Sequence, residues 1–192
     1  MRLLIMGPPG AGKGTQAVGI AAHYGIPAIS SGDLFRQHIK ANDDLGVKVS
    51  ALIAAGDFVP DVLTTSMVFR KLLEPPSADG WLLDGYPRTL GQVEALDLAL
   101  VDLRTQLDAV ISLVADPAEL VGRMLKRAEL EGRADDNEAT IRHRIEVYQA
   151  ATEPVLAVYR ERGLVCEVDA IGAVDEVTVR LTQALDAKLG RA

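Results

Sequence analysis

The stretch Arg2-Leu3-Leu4-Ile5-Met6, followed at once by Gly7-Pro8-Pro9-Gly10-Ala11-Gly12-Lys13-Gly14-Thr15, constrains this chain more than any other. A short run of large apolar residues ending in Gly and Pro reads as a strand buried on both faces. The stretch from Gln16 to Tyr24 then reads as a helix. Backbone that wraps a phosphate closely has no room for side chains, so Gly10, Gly12 and Gly14 let successive N–H groups converge on an anion at the helix start. Lys13 reaches the terminal phosphates. The unit predicts a cradle for a nucleoside triphosphate. It departs from the general pattern at one place, where Gly14 follows the lysine and the hydroxyl comes one residue later, at Thr15. A tightly packed turn with no ligand is the plainer alternative, and the placing of Lys13 between strand and helix favours the cradle. The cradle alone leaves the fate of the phosphate open, since switches, motors and kinases all use it.

At 192 residues, 48% of them hydrophobic, the chain can bury one compact α/β core. No apolar run approaches the ~20 residues of a membrane span. The cradle strand starts at Arg2 and leaves no space for a removable signal within this sequence, so a cytoplasmic protein is expected. The single cysteine, Cys166, lies in an apolar run and excludes an internal disulfide and a cysteine-rich structural zinc site. His23, His38 and His143 are too scattered to suggest a metal site and are expected on helix surfaces or core edges. A net charge of −7 argues against extended contact with nucleic acid or an anionic membrane. No surplus apolar helix demands a partner, so a monomer is expected.

Strands are predicted at Arg2–Met6, Ala28–Ser30, Trp81–Asp84, Ala109–Val114 and Leu164–Val168, with helical patterns between them. This alternation predicts an α/β fold of the P-loop type: a parallel five-stranded sheet with helices on both faces and its working residues where strands end. Asp116-Pro117-Ala118-Glu119 supplies an N-cap, a proline at the first helical position and an acid at the third, predicting a helix from Pro117 through Arg127. Residues 1–192 read as one domain, without repeats or linkers.

The strand Trp81-Leu82-Leu83-Asp84 runs into Gly85-Tyr86-Pro87-Arg88-Thr89. A carboxylate at the tip of a buried strand beside the cradle suits Mg2+ or its waters, although Asp84 alone could be a strand-end turn. Arg88 projects where an anion could lie. Arg123, Arg127, Arg133 and Arg144 gather in a region that also holds Asp135 and Asp136. Arg123 and Arg127 stand one helical turn apart, so both can face one ligand. Any one of these arginines alone would read as an ordinary surface pair with Glu119, Glu129, Glu131 or Glu146, whereas the cluster predicts a small polyanion.

These motifs, together with Ser30-Ser31-Gly32-Asp33-Leu34-Phe35-Arg36 and Gly132-Arg133-Ala134-Asp135-Asp136, occur in an order that resembles the short-lid adenylate kinases of the nucleoside monophosphate kinase family. The resemblance spans nearly the whole chain. It implies that Gly10, Ala11, Gly12, Lys13, Gly14 and Thr15 hold the ATP phosphates, with Arg127 and the backbone of Gly172 completing the ATP site and Mg2+ near Asp84. Ser31, Arg36, Gly85, Tyr86, Pro87, Arg88 and Gln92 are then implied to hold AMP, with Asp57, Phe58 and Val59 at its adenine and Arg133 and Arg144 also assigned to it. Lys13, Arg88, Arg123, Arg127, Arg133 and Arg144 are the implied catalytic cations. Residues 30–59 become an AMP-binding insertion and residues 126–136 a short lid.

Ser31 stands where that family has threonine, and the related uridylate and cytidylate kinases are expected to have alanine there, which favours adenine. The alternatives are a uridylate or cytidylate kinase, a nucleotide-dependent switch ATPase, or a non-catalytic nucleotide-binding partner. The last two give no reason for Ser31, Arg36, Arg88 and Gln92 to accompany clustered arginines.

Overall fold

The computed structural model describes residues 1–131 and 137–191. Strands β1 (Arg2–Met6), β2 (Ala28–Ser30), β3 (Trp81–Asp84), β4 (Ala109–Val114) and β5 (Val165–Asp169) form one parallel sheet in the order β2-β3-β1-β4-β5. Helices α1 (Lys13–Tyr24), α2 (Ser31–Ala41), α3 (Asp44–Ala55), α4 (Asp61–Leu72), α5 (Leu90–Asp102), α6 (Pro117–Glu131), α7 (Glu138–Val147), α8 (Glu153–Glu161) and α9 (Val174–Leu189) accompany it. A single π-helical turn, Tyr148–Thr152, joins α7 to α8.

The central strands are near-continuous apolar runs because helices cover both faces of the sheet. Alternate residues of β1 separate onto the two sides: Leu3 and Ile5 join a cluster with Ile20 of α1 and Leu181 and Leu185 of α9, while Leu4 and Met6 join Leu96 of α5 and Tyr159 of α8. A third, separate cluster, Phe35, Val49 and Val59 with Ile39, Leu45, Ile53 and Met67 against it, is formed by α2, α3, α4 and the loop between α3 and α4. Glycine is required where α2 and α3 meet, since a Cβ on Gly46 would come within 2.2 Å of the His38 carbonyl oxygen.

Two elements differ from the sequence expectation. The last strand begins at Val165 rather than Leu164, because the Leu164 N–H closes the end of α8 on the Tyr159 carbonyl at 3.0 Å while Asp169 pairs with Val114. Helix α6 continues past Arg127 to Glu131, through residues that all favour helix, and the first glycine comes at Gly132. Residues 126–131 of the expected lid are therefore helical, and residues 132–136, including Arg133, Asp135 and Asp136, lie outside the described residues.

All strands run in the same direction, and the strand order reverses between β1, whose connection leads outward to β2, and β3, whose connection leads across to β4; an open α/β sheet leaves a crevice at such a point. The register sets Ile5 opposite Asp84, so the loop leaving β1 emerges beside the β3 carboxylate.

Candidate active site

The loop between β1 and α1 turns through two left-handed glycines, Gly10 at φ 84° and Gly12 at φ 86°. Gly12 caps the start of α1, leaving that helix's first N–H groups free for an anion. Ala11 between them is buried in the core and anchors the loop. Lys13 Nζ donates to the carbonyls of Gly7 at 2.7 Å and Pro8 at 2.9 Å. Burial pulls the Lys13 ammonium down from 10.5 to about 8, against the upward pull of the neighbouring Asp84.

That value would make the binding of a phosphate anion on this loop pH-dependent. Below about pH 8 the ammonium is present, and a bound triphosphate favours it further, so binding takes up a proton at higher pH. Weakening of the affinity for a nucleoside triphosphate by about tenfold between pH 7 and pH 9 is expected by calorimetric titration if Lys13 is its ligand, and an unchanged Kd would contradict that role. The sign for stability of the ligand-free protein is opposite. Between about pH 8 and 10.5 the unfolded chain holds more proton at Lys13 than the folded one, so this residue's contribution to stability rises with pH.

The Asp84 carboxylate closes the other side of the loop; a Cβ on Gly14 would lie 3.7 Å from its Oδ2. Burial pushes its pKa up, and Lys13 and then Arg88 oppose that shift. Among the described residues no group of three His, Cys, Asp or Glu could hold a metal. One carboxylate next to a phosphate-binding loop fits a Mg2+ that arrives on its phosphates and keeps most of its water.

The loop, β3 and α6 open onto a cavity of about 670 Å³. Gly10, Gly12, Lys13, Gly14, Thr15, Asp84, Gly85, Tyr86, Pro87, Arg88, Arg36, Phe58, Arg123, Arg127 and Arg144 all line it. Among the described residues its wall holds seven basic ones, the five arginines with Lys13 and Lys126, against two acids, Asp33 and Asp84, in a chain of net charge −7. A smaller compartment of about 80 Å³ adjoins it, lined by Ser31, Asp57, Val59 and Gln92 and sharing Arg36, Phe58, Gly85, Arg88 and Arg144 with the first.

Arg88 is held at the boundary. Its Nε donates to the Gly85 carbonyl at 2.8 Å, its guanidinium lies 5.2 Å from the centre of the Phe58 ring, and its own carbonyl accepts from the Thr152 hydroxyl at 3.1 Å. Ser31 Oγ donates to the Gly85 carbonyl at 2.8 Å, tying β2's end to the same turn. Tyr86 is buried beneath that turn and donates its hydroxyl to the Gln92 carbonyl at 3.2 Å; the Tyr86–Pro87 bond is cis. Arg36 pairs with Asp33 in its own helix. Arg123 donates to the Ala170 carbonyl at 3.1 Å and to Glu119 at 3.2 Å. The Asp57 side chain meets His143 Nε2 at 2.6 Å, and Asp57 lines the smaller compartment.

Gly172 does not line either compartment. It lies in the exposed turn before α9 at φ 124°, with Glu176 and Arg180 against it. Sequence reasoning missed Tyr148 and Thr152 of the π turn, which line the larger cavity, and Asp61, which binds Gln92. No periodicity signals a π turn. Asp61 could have been found only as a polar residue opening a helix.

A parallel sheet with a glycine-lysine loop at its switch point, opening on a basic two-part cavity, defines a P-loop nucleotide phosphotransferase. The family described as adenylate kinase matches residues 5–164. The chain is 57% identical over 184 residues to an adenylate kinase of Clavibacter michiganensis subsp. michiganensis, covering 96% of this chain and 92% of that one. It is 54% identical over 186 residues to an adenylate kinase of Nocardioides sp., covering 97% of each chain. An adenylate kinase of Thermobifida fusca is 46% identical over 188 residues, covering 98% of this chain and all of that one. The chain belongs to the adenylate kinase family and is an ATP:AMP phosphotransferase.

Proposed function

We propose that the two compartments hold ATP and AMP end to end, and that Lys13, Arg88, Arg123, Arg127, Arg144 and Arg133 carry the transfer of a phosphoryl group that turns the pair into two ADP. The observation that carries this reading is the position of Arg88 on the wall of both compartments. A guanidinium there can touch the phosphate being transferred and the phosphate that attacks it.

The ATP phosphates lie on the N–H groups of Gly10 to Thr15 in this reading, with Lys13 on the terminal ones and Arg127 beside them. Gly172 remains assigned to the ATP adenine on the strength of resemblance alone. Asp84 would hold Mg2+ through water. Mg2+ supplies positive charge to the phosphate oxygens in this chemistry. AMP lies with its phosphate on Arg36, Arg88, Arg144 and Arg133, against Gly85, Tyr86 and Pro87. Its adenine lies against Ser31, Gln92 and the backbone of Asp57, Phe58 and Val59.

Phosphoryl transfer leaves little covalent work for side chains. The transition state spreads negative charge over the migrating oxygens, so alignment and fixed positive charge carry the rate. Water in place of AMP would turn the reaction into hydrolysis, which gives residues 30–59 and 126–136 a purpose as covers. The separate hydrophobic cluster of α2, α3 and α4 suits a part that moves as a unit. We take the protein to act as a cytoplasmic monomer that balances adenine nucleotides.

The test is ATP consumption with AMP, UMP, CMP or GMP as acceptor, and with none. Formation of two ADP per ATP with AMP, at least about a hundredfold faster than with UMP or CMP, is expected. Equal rates with pyrimidine monophosphates, or phosphate release without an acceptor, would overturn it.

A further inference from the structure

The Gln92 carboxamide is gripped from both ends. Its Oε1 accepts from the backbone N–H of Arg88 at 2.8 Å, and its Nε2 donates to Asp61 Oδ1 at 2.7 Å. A backbone N–H can only donate and a carboxylate oxygen only accepts, so these two neighbours decide which end of the amide is nitrogen. Asp61, the first residue of α4, is itself pinned: its Oδ2 accepts from the Thr89 hydroxyl at 2.6 Å. The same Thr89 oxygen accepts the backbone N–H of Gln92 at 3.2 Å, capping the start of α5. Gln92 is 2% exposed, so turning the amide over brings no compensating bonds to bulk water.

Gln92 lines the smaller compartment, and after these bonds its amide keeps one N–H and one oxygen lone pair. They offer a donor beside an acceptor. The 6-amino group and N1 of adenine offer the complement. A 6-oxopurine presents an acceptor and an N1–H donor in the same two places, and matching it requires the inverted amide. Inversion would set N–H against the Arg88 N–H and oxygen against the Asp61 carboxylate.

We propose that Asp61 is a positioning residue that locks the Gln92 amide in one orientation, and so selects a 6-aminopurine over a 6-oxopurine monophosphate as acceptor. This rests on the reading that Gln92 faces the acceptor base.

Asp61→Asn removes the obligate acceptor at nearly constant shape. In steady-state assays of the full chain, it is expected to raise KM for AMP by about tenfold, with KM for ATP and kcat at saturating AMP within about twofold. The ratio of kcat/KM for inosine monophosphate to that for AMP is expected to rise at least about tenfold. Thr89→Val, which loosens Asp61 from its other oxygen, is expected to move the ratio the same way by a smaller factor, and it decides the matter if Asp61→Asn does not fold.

An unchanged ratio, with activity lost equally on both acceptors, would mean that Asp61 only supports the fold, and would overturn the proposal. Gln92→Ala separates the two levels. If it leaves KM for AMP unchanged, Gln92 does not face the acceptor and both readings fall. If it raises KM for AMP while the Asp61→Asn ratio stays fixed, the Asp61 proposal alone fails.

Discussion

Replacing Lys13 by methionine is expected to lower kcat for ADP formation by about a thousandfold or more while leaving the protein folded. Methionine keeps the apolar stem and removes the ammonium. In the ligand-free protein that ammonium is disfavoured by burial, which draws it down to about 8, and its bonds go to two loop carbonyls rather than to a carboxylate. Its removal relieves a cost in the folded state at neutral pH, so the melting temperature is expected to stay level or rise. A residue whose loss improves stability and abolishes turnover is held for its ligand, as expected where strain is kept at a working site. Turnover within tenfold of the parent would show that Lys13 is not a phosphate ligand.

Arg88→Ala is the second large effect. Its guanidinium touches Phe58, its Nε is held by the Gly85 carbonyl, and it faces both compartments. Loss of one fixed cation from the transition state costs on the order of a hundredfold to a thousandfold in kcat. Arg88→Lys is expected to recover only a small part of this, because an ammonium cannot make two parallel bonds to the phosphate oxygens. The Arg88 backbone N–H and carbonyl, which bind Gln92 and Thr152, remain in either variant, so the local fold is retained. Single-turnover mixing of ATP and AMP measures the chemical step directly. A variant with normal transfer and only a raised KM for AMP would reduce Arg88 to a binding residue.

Much of this was legible because local chemistry and tertiary structure agree. The bounds of β1, β2, β3 and β4 match those predicted, and in β1, β3 and β4 the signal is a near-continuous run of apolar residues, as buried parallel strands carry. Position 164 did not follow: Leu164 is as apolar as its neighbours, yet its N–H is drawn to Tyr159 to finish α8. The end of α6 was hidden for the opposite reason, because Ala128-Glu129-Leu130-Glu131 holds no stop signal.

In the site, residues carried by a motif were found, since glycine turns and strand-end carboxylates announce themselves. Asp61 was not, because its bond to Gln92 spans 31 positions and joins the starts of two helices that only the fold brings together. The π turn holding Tyr148 and Thr152 breaks the helical period by one residue, which no hydrophobic pattern of that length records.

The claim on which the rest depends is that fixed cations from separate loops converge between two nucleotides laid end to end. A crystal structure with a non-hydrolysable ATP analogue and AMP bound together tests it most directly. The account predicts the Lys13 ammonium and the Arg88, Arg123, Arg127 and Arg144 guanidinium groups within about 3 to 4 Å of phosphate oxygens, with the AMP phosphate in line with the γ-phosphate. Guanidinium groups turned to solvent, or an AMP phosphate aimed away from the triphosphate, would contradict it.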